Sequence, residues 1–207
     1  MAEALGIDYR LRAPRGIALT FDDGPHPQGT PAVLELLARA DARATFFLVG
    51  EQVARRPSLA AAIAAAGHEI GIHGYRHTLL LRRAPRELAD DLARAEDLIG
   101  TATGQRATLY RPPYGVFSTA GLVVVRRRGL LPLLWSRWGR DWTRRATPVS
   151  IARTATRDLS AGDVVLLHDA DFYSSTGSWA KTVAALPSII EAARDTGEPL
   201  VSASQSI

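Results

Sequence analysis

The sequence predicts a single α/β domain in which about seven parallel strands close, or nearly close, into a barrel. Three observations carry this prediction. Short apolar runs rich in β-branched and aromatic residues alternate with longer Ala-, Leu- and Arg-rich stretches along the whole chain, the pattern of strands joined by helical crossovers. No all-polar linker interrupts the alternation, and 207 residues is a length that one α/β barrel can occupy. Finally, the side chains able to do chemistry fall just after the strands, at the rim where parallel barrels gather their sites.

The strands are read at 16–21 (GIALTF), 44–49 (ATFFLV), 68–73 (HEIGIH), 107–111 (ATLYR), 131–136 (LPLLWS), 163–168 (DVVLLH) and 199–203 (PLVSA). Each is a short apolar run bounded by turn-forming residues. Helices are expected between them at 31–40, 57–66, 85–100, 118–128, 148–158 and 181–194. Their starts are marked by Pro31 after Thr30, Pro85, Ser118 and Pro148. Proline suits a first helical turn, where its missing N–H costs nothing, and a serine oxygen can accept from a free amide there. Residues 1–15 precede the first strand and are read as an N-terminal extension to a domain running from 16 to 207.

At 46% hydrophobic and 22% charged residues, the composition is that of an ordinary globular protein. The net charge is +4 and nearly all the positive charge is arginine. Those arginines (Arg55, Arg56, Arg82, Arg83, Arg94, Arg126 to Arg128) are scattered over helical stretches rather than forming a stripe interleaved with aromatics. The pattern reads as a solvated surface, with no nucleic-acid partner expected. Cysteine is absent, which excludes disulfides and thiolate metal sites, so any metal must be held by His, Asp or Glu. The opening MAEALGIDYRLRAPRG has no apolar signal core, and no run approaches the ~20 residues needed to cross a bilayer. A cytoplasmic location without a transmembrane segment is the expectation, and no pattern specifies an oligomeric state.

The first chemical signal is TFDDGP (20–25), where two carboxylates stand side by side. Adjacent strand residues point to opposite faces, so Asp22 and Asp23 must lie where a strand gives way to a loop, near something positive. The second is HGYRH (73–77), two histidines four apart, a spacing that can bring both imidazoles to one ion. With one carboxylate of the pair they make a three-ligand site for a divalent metal. Zinc is the default, and cobalt or nickel would accept the same ligands.

These motifs, followed by RPPYG (111–115), DW (141–142) and LLHD (166–169), resemble in kind and order the five motifs of the polysaccharide deacetylases, the NodB-homology group of carbohydrate esterase family four. The resemblance spans roughly residues 16 to 205. It implies a distorted (β/α) barrel and metal-dependent hydrolysis of an N-acetyl group from a sugar. It further implies Asp23, His73 and His77 as metal ligands and Asp22 as general base toward the attacking water. Arg111 would pair with Asp22 and keep it ionised. The Tyr114 backbone N–H would meet the developing oxyanion, His168 would be the general acid, and Asp141 would orient His168. Pro112, Trp142 and Leu166 would contribute to substrate binding, the last two by walling a pocket for the acetyl methyl.

Two departures stand out. The residue after the first histidine, usually Ser or Thr in the family, is Gly74, which removes a hydroxyl that braces the loop. Within RWGRDW (137–142), the further acidic residue that many relatives carry upstream of Asp141 is missing. The loop DADFYSSTGSW (169–179), with Phe172, Tyr173 and Trp179, is read as a sugar-stacking rim or a surface loop. His26, Trp138 and Asp169 are read as loop-shaping, packing or capping residues as readily as functional ones. The expected substrate is an N-acetylated carbohydrate or a related small molecule such as a natural-product or glycolipid intermediate. A member of the fold that binds carbohydrate without turnover is the alternative.

Overall fold

The computed structural model describes residues 5–204; the first four residues of the N-terminal extension and the last three of the chain lie outside the described residues. Seven parallel strands form one curled sheet: β1 (Ala18–Asp22), β2 (Thr45–Leu48), β3 (Glu69–Ile72), β4 (Leu109–Tyr110), β5 (Leu131–Pro132), β6 (Arg137–Trp138) and β7 (Val164–His168). Their order across the sheet is β5-β4-β3-β2-β1-β7-β6, so β1 lies in the interior between β2 and β7 and the short β5 and β6 are the edges. Helices α1 (Gly29–Arg39), α2 (Gly50–Arg55), α3 (Pro57–Ala65), α4 (Pro85–Thr103), α5 (Thr119–Arg127), α6 (Pro148–Ala155) and α7 (Ser178–Asp195) supply the crossovers.

Alternation along the strands divides the core in two. Leu19 and Phe21 of β1, with Phe46, Leu48, Ile72, Val165 and Leu167, pack outward against the helices. Ala18, Phe47, Leu109 and Val164 pack inward with Leu11 and Leu133. Thr20 and Asp22 share the inward face with Ala18, which is why a buried arginine can meet them there. The N-terminal segment seals the gap between the edges: Asp8 bridges Leu133 beyond β5, and Arg10 bridges Asp163 before β7. Ile7 and Leu11 are buried by it.

The helix starts follow the expected signals. Ser118 accepts from the Gly121 amide at the head of α5, and Thr147 accepts from the Ser150 amide at the head of α6. Each such cap is worth about 1 kcal/mol. Two expectations are corrected. The run 131–136 is not one strand: it divides into β5 and a crossing segment that leads to β6 on the opposite edge. Nor is 199–203 a strand; Leu200 makes only an isolated bridge to Ile17. Both flanks of β1 are already occupied by β2 and β7, and Pro199 offers no amide to a ladder. The short helix α2, tucked between β2 and α3, has no counterpart in the pattern-based reading.

Candidate metal and catalytic site

Strand register builds the site. In the β1–β7 pair Asp22 lies opposite His168, and in the β3–β4 pair Ile72 lies opposite Tyr110. Asp22 and His168 are thereby neighbours at the carboxyl ends of two strands, and His73 and Arg111 each follow by one residue. Asp23 would point away from Asp22 if the strand continued. Instead it takes a left-handed backbone with φ 78°, a conformation Asp tolerates better than most residues, and its carboxylate turns back to the same rim.

Asp23 Oδ1 lies 3.2 Å from His77 Nε2 and 3.5 Å from His73 Nε2. One ligand atom from each of these three residues lies within 4.8 Å of the others. The donors fit a divalent ion. Asp23 Oδ1 is buried without a hydrogen-bond partner among the described residues, and His73 Nδ1 lies 2.8 Å from the Arg111 carbonyl. Donation to that carbonyl puts the proton on Nδ1 and leaves the Nε2 lone pair free, the usual arrangement of a ligating histidine. Burial holds the His73 pKa below the ordinary histidine value against the pull of Asp22 and Asp23. Burial pushes Asp23 upward, but the imidazoles of His77, His168 and His73 close around it outweigh burial and keep it below the ordinary carboxylate value. Neutral imidazoles beside a carboxylate are the forms a metal requires.

Arg111 is fully buried. Its Nη1 donates to Asp22 Oδ1 at 2.7 Å and to Thr20 Oγ1 at 2.8 Å. Nε and Nη2 donate to the carbonyls of Leu133 and Leu134, and the guanidinium lies 4.0 Å from the Phe47 ring centroid. On the other side of the cleft, Asp141 Oδ2 accepts from the His168 amide at 2.7 Å, and Asp141 Oδ1 lies 2.9 Å from His168 Nδ1. Thr182 also donates to Asp141. Burial alone would lower the pKa of His168, but the charge and hydrogen bond of Asp141, with Asp23 and Asp22 beyond it, raise it to about 10. Its Nε2 is left to face the cleft.

The cleft has a volume of about 290 Å³ and is lined by Asp22, Asp23, His73, His77, Tyr114, Trp142, Leu166 and His168 among the expected residues. The Trp142 ring stands edge-on to His168 at 5.5 Å. Tyr114 takes φ 63° in the turn after β4, and its side chain is 61% exposed at the mouth. Pro112 does not line the cleft; it is buried, and its carbonyl accepts from the Gly115 amide. Trp138 does line it, with Trp135, Tyr173 and Ser174. Sequence reasoning missed Trp135 and Thr182, which sit in no motif and reach the site only through packing.

Of the three aromatic residues in the 169–179 loop, only Tyr173 reaches the cleft. Phe172 and Trp179 flank His26 at 5.1 and 5.4 Å, and His26 Nδ1 accepts from the amides of Gln28 and Gly29, a loop-shaping role. Asp169 accepts from Thr30 and is buried under Gly24, with its pKa raised to about 7 chiefly by that burial. The loop at Gly74 is braced without a side-chain hydroxyl of its own. Asp91 of α4 accepts from the Tyr75 amide at 2.7 Å, while the amides of Gly50 and Glu51 donate to the carbonyls of Gly74 and Tyr75. Gly74 itself has φ +83°, which a serine or threonine would adopt only under strain.

A family model described as polysaccharide deacetylase matches residues 11–132. The chain is similar to a peptidoglycan-N-acetylglucosamine deacetylase of Bacillus cereus, 35% identical over 192 residues that cover 91% of this chain and 86% of that one. It is equally similar to a chitooligosaccharide deacetylase of Azorhizobium caulinodans, 35% identical over 188 residues, 87% of this chain and 89% of the other. Among solved structures, the peptidoglycan N-acetylglucosamine deacetylase Bc1960, in complex with an aryl N-hydroxybenzamide, superposes with a TM-score of 0.91 at 27% identity, over 100% of this chain and 94% of that one. On the combined ground of fold, motif order and these likenesses, the chain belongs to the polysaccharide deacetylase family.

Proposed function

We propose that this chain removes the acetyl group from an N-acetylated amino sugar within a glycan by zinc-dependent hydrolysis. The observation that carries the reading is the register of β1 and β7, which sets Asp22 and His168 side by side over the Asp23, His73 and His77 cluster. These three residues would hold the ion, which when bound lowers the pKa of water and polarises a carbonyl oxygen.

The protein's own groups supply the proton transfers. Arg111 occupies Asp22 Oδ1, so Oδ2 is the oxygen available to take a proton from the attacking water. Asp141 holds His168 Nδ1, so the proton on Nε2 is the one delivered to the leaving nitrogen as the C–N bond breaks, giving acetate and a free amine. Each transfer contributes roughly 100- to 10,000-fold. The Tyr114 backbone N–H donates to the oxyanion that develops on the acetyl oxygen, worth roughly 3 to 4 kcal/mol. Trp142 and Leu166 bound the space for the acetyl methyl.

Several features favour an oligomeric sugar over a small isolated one. Tyr114 and Trp138, 61% and 37% exposed, present aromatic faces at the mouth on which a sugar ring can stack. A second groove lined by Thr78, Leu79, Arg82 and Arg83 shares His77 and Tyr114 with the cleft and offers room for a neighbouring residue. The two similar curated proteins are named for peptidoglycan N-acetylglucosamine and for chitooligosaccharide, both of which contain N-acetylglucosamine. The test is acetate release from peptidoglycan fragments, chitooligosaccharides and small N-acetylated sugars, using protein stripped of metal and then reconstituted with zinc, cobalt or nickel. Zinc-dependent release from the oligomers that disappears in Asp22→Asn is expected. Metal binding without acetate from any substrate would overturn the substrate assignment.

A further inference from the structure

We propose that Tyr173 is the positioning residue for His77, and that α2 is the bracket holding the two together; the inference rests on the metal-site reading above. The two histidines of the cluster are secured in different ways. His73 is fixed by its Nδ1 contact with the Arg111 carbonyl. His77 Nδ1 is buried and has no hydrogen-bond partner among the described residues, so no hydrogen bond at that nitrogen fixes its ring against rotation about Cβ–Cγ, which would withdraw Nε2 from Asp23.

A ring does that work instead. Tyr173 stacks face to face on His77, with centroids 4.1 Å apart and planes 7° from parallel. Tyr114 closes from the side, edge-on at 4.7 Å. Rotation of the imidazole would drive it into the Tyr173 face. Tyr173 is itself pinned: its hydroxyl donates to Glu51 at 2.6 Å and accepts from Gln52 Nε2 at 3.0 Å. Glu51 also donates its backbone amide to the Tyr75 carbonyl, and Gly50 donates to that of Gly74. The same turn of α2 therefore holds the backbone of the histidine loop and the aromatic ring against it. With its hydroxyl taken and one face covered by His77, Tyr173 is poorly placed to stack on sugar from that face.

Zinc affinity, measured by competition with a chromophoric chelator, tests this without recourse to activity. Loss of a group that orients a metal ligand typically costs about 10- to 100-fold in affinity. Tyr173→Leu, which removes the ring, should weaken zinc binding by that amount and change the visible spectrum of the cobalt-substituted protein. Tyr173→Phe and Glu51→Ala keep the ring but release its anchor; each should weaken binding measurably and by less than tenfold. Thermal melting of the metal-free variants reports folding, and if Tyr173→Leu does not fold, the other two carry the test. Zinc affinities within twofold of wild type in every folded variant would overturn the inference, as would a rise in KM with zinc binding unchanged. A wild-type chain that binds no zinc would overturn the metal reading itself, and this inference with it.

Discussion

One residue before β7, the carboxylate of Asp163 is fully buried and fully partnered; at the opposite end of the same strand, His168 opens onto a cluster that is not. Asp163 accepts from Ser136 Oγ at 2.7 Å, the Ser160 amide at 2.8 Å, Arg137 Nε at 3.1 Å and Arg10 at 2.6 Å. Burial would raise its pKa, but these donors outweigh burial and lower it. At the far end, Asp23 Oδ1, His77 Nδ1 and Asp169 Oδ1 are buried with no hydrogen-bond partner among the described residues. Folding tends to leave few such groups, because each costs about 1 to 3 kcal/mol. The contrast separates two uses of buried charge: one end ties the N-terminal segment and β6 to the sheet, and the other leaves Asp23 Oδ1 free for an ion.

Several measurements would break or sharpen that contrast. The largest expected effect is His168→Ala, which should lower kcat by about 100- to 10,000-fold while zinc affinity stays within a few-fold of wild type. Retained turnover would remove the functional half of the comparison. Arg111→Met comes next. Arg111, at the catalytic end, is as fully paired as Asp163, and its loss strands Asp22 in the interior, so denaturant unfolding should show a loss of about 3 to 5 kcal/mol. Asp163→Asn should cost less, about 1 to 3 kcal/mol, because Arg10 and Arg137 are partly exposed and can turn to solvent. Its kcat per folded molecule should be unchanged.

The smallest effect is a pH dependence in metal-stripped protein. Since the folded-state pKa of His168 is raised from 6.5 to about 10, its ion pair with Asp141 adds stability that is complete below about pH 6.5. That contribution declines from about pH 6.5 upward and is lost by about pH 10. The difference in urea midpoint between wild type and His168→Gln should therefore shrink between about pH 6.5 and 10. A difference that grows there would contradict the assignment of the proton.

Most of the site could be read from residues alone because its chemistry lives in short motifs. DD and HxxxH each carry two functional groups within five positions, HD carries His168, and the strand runs before them say which end of the sheet they occupy. Pro112 shows the limit, since membership in a motif did not bring it to the cleft. Trp135 and Thr182 show the converse: they help build the site without any motif, and only the curl of the sheet and the packing of α7 bring them there. The aromatic loop 169–179 was legible as a candidate rim, but whether Phe172, Tyr173 or Trp179 would face the cleft depended on contacts with His26 and α2.

The sequence by itself determined the alternation of strands and helices, the parallel α/β class, the ligand types available to a metal and their i, i+4 spacing. These are consequences of periodicity and side-chain chemistry acting over a few residues. Tertiary structure alone decided that Asp22 lies opposite His168, that 131–138 splits between two edges, and that Asp91 and α2 brace the histidine loop at Gly74 and Tyr75. Each of those outcomes depends on which distant segment occupies a given flank of the sheet. Strand pairing and burial settle that choice through packing against neighbours, which local sequence preference does not encode.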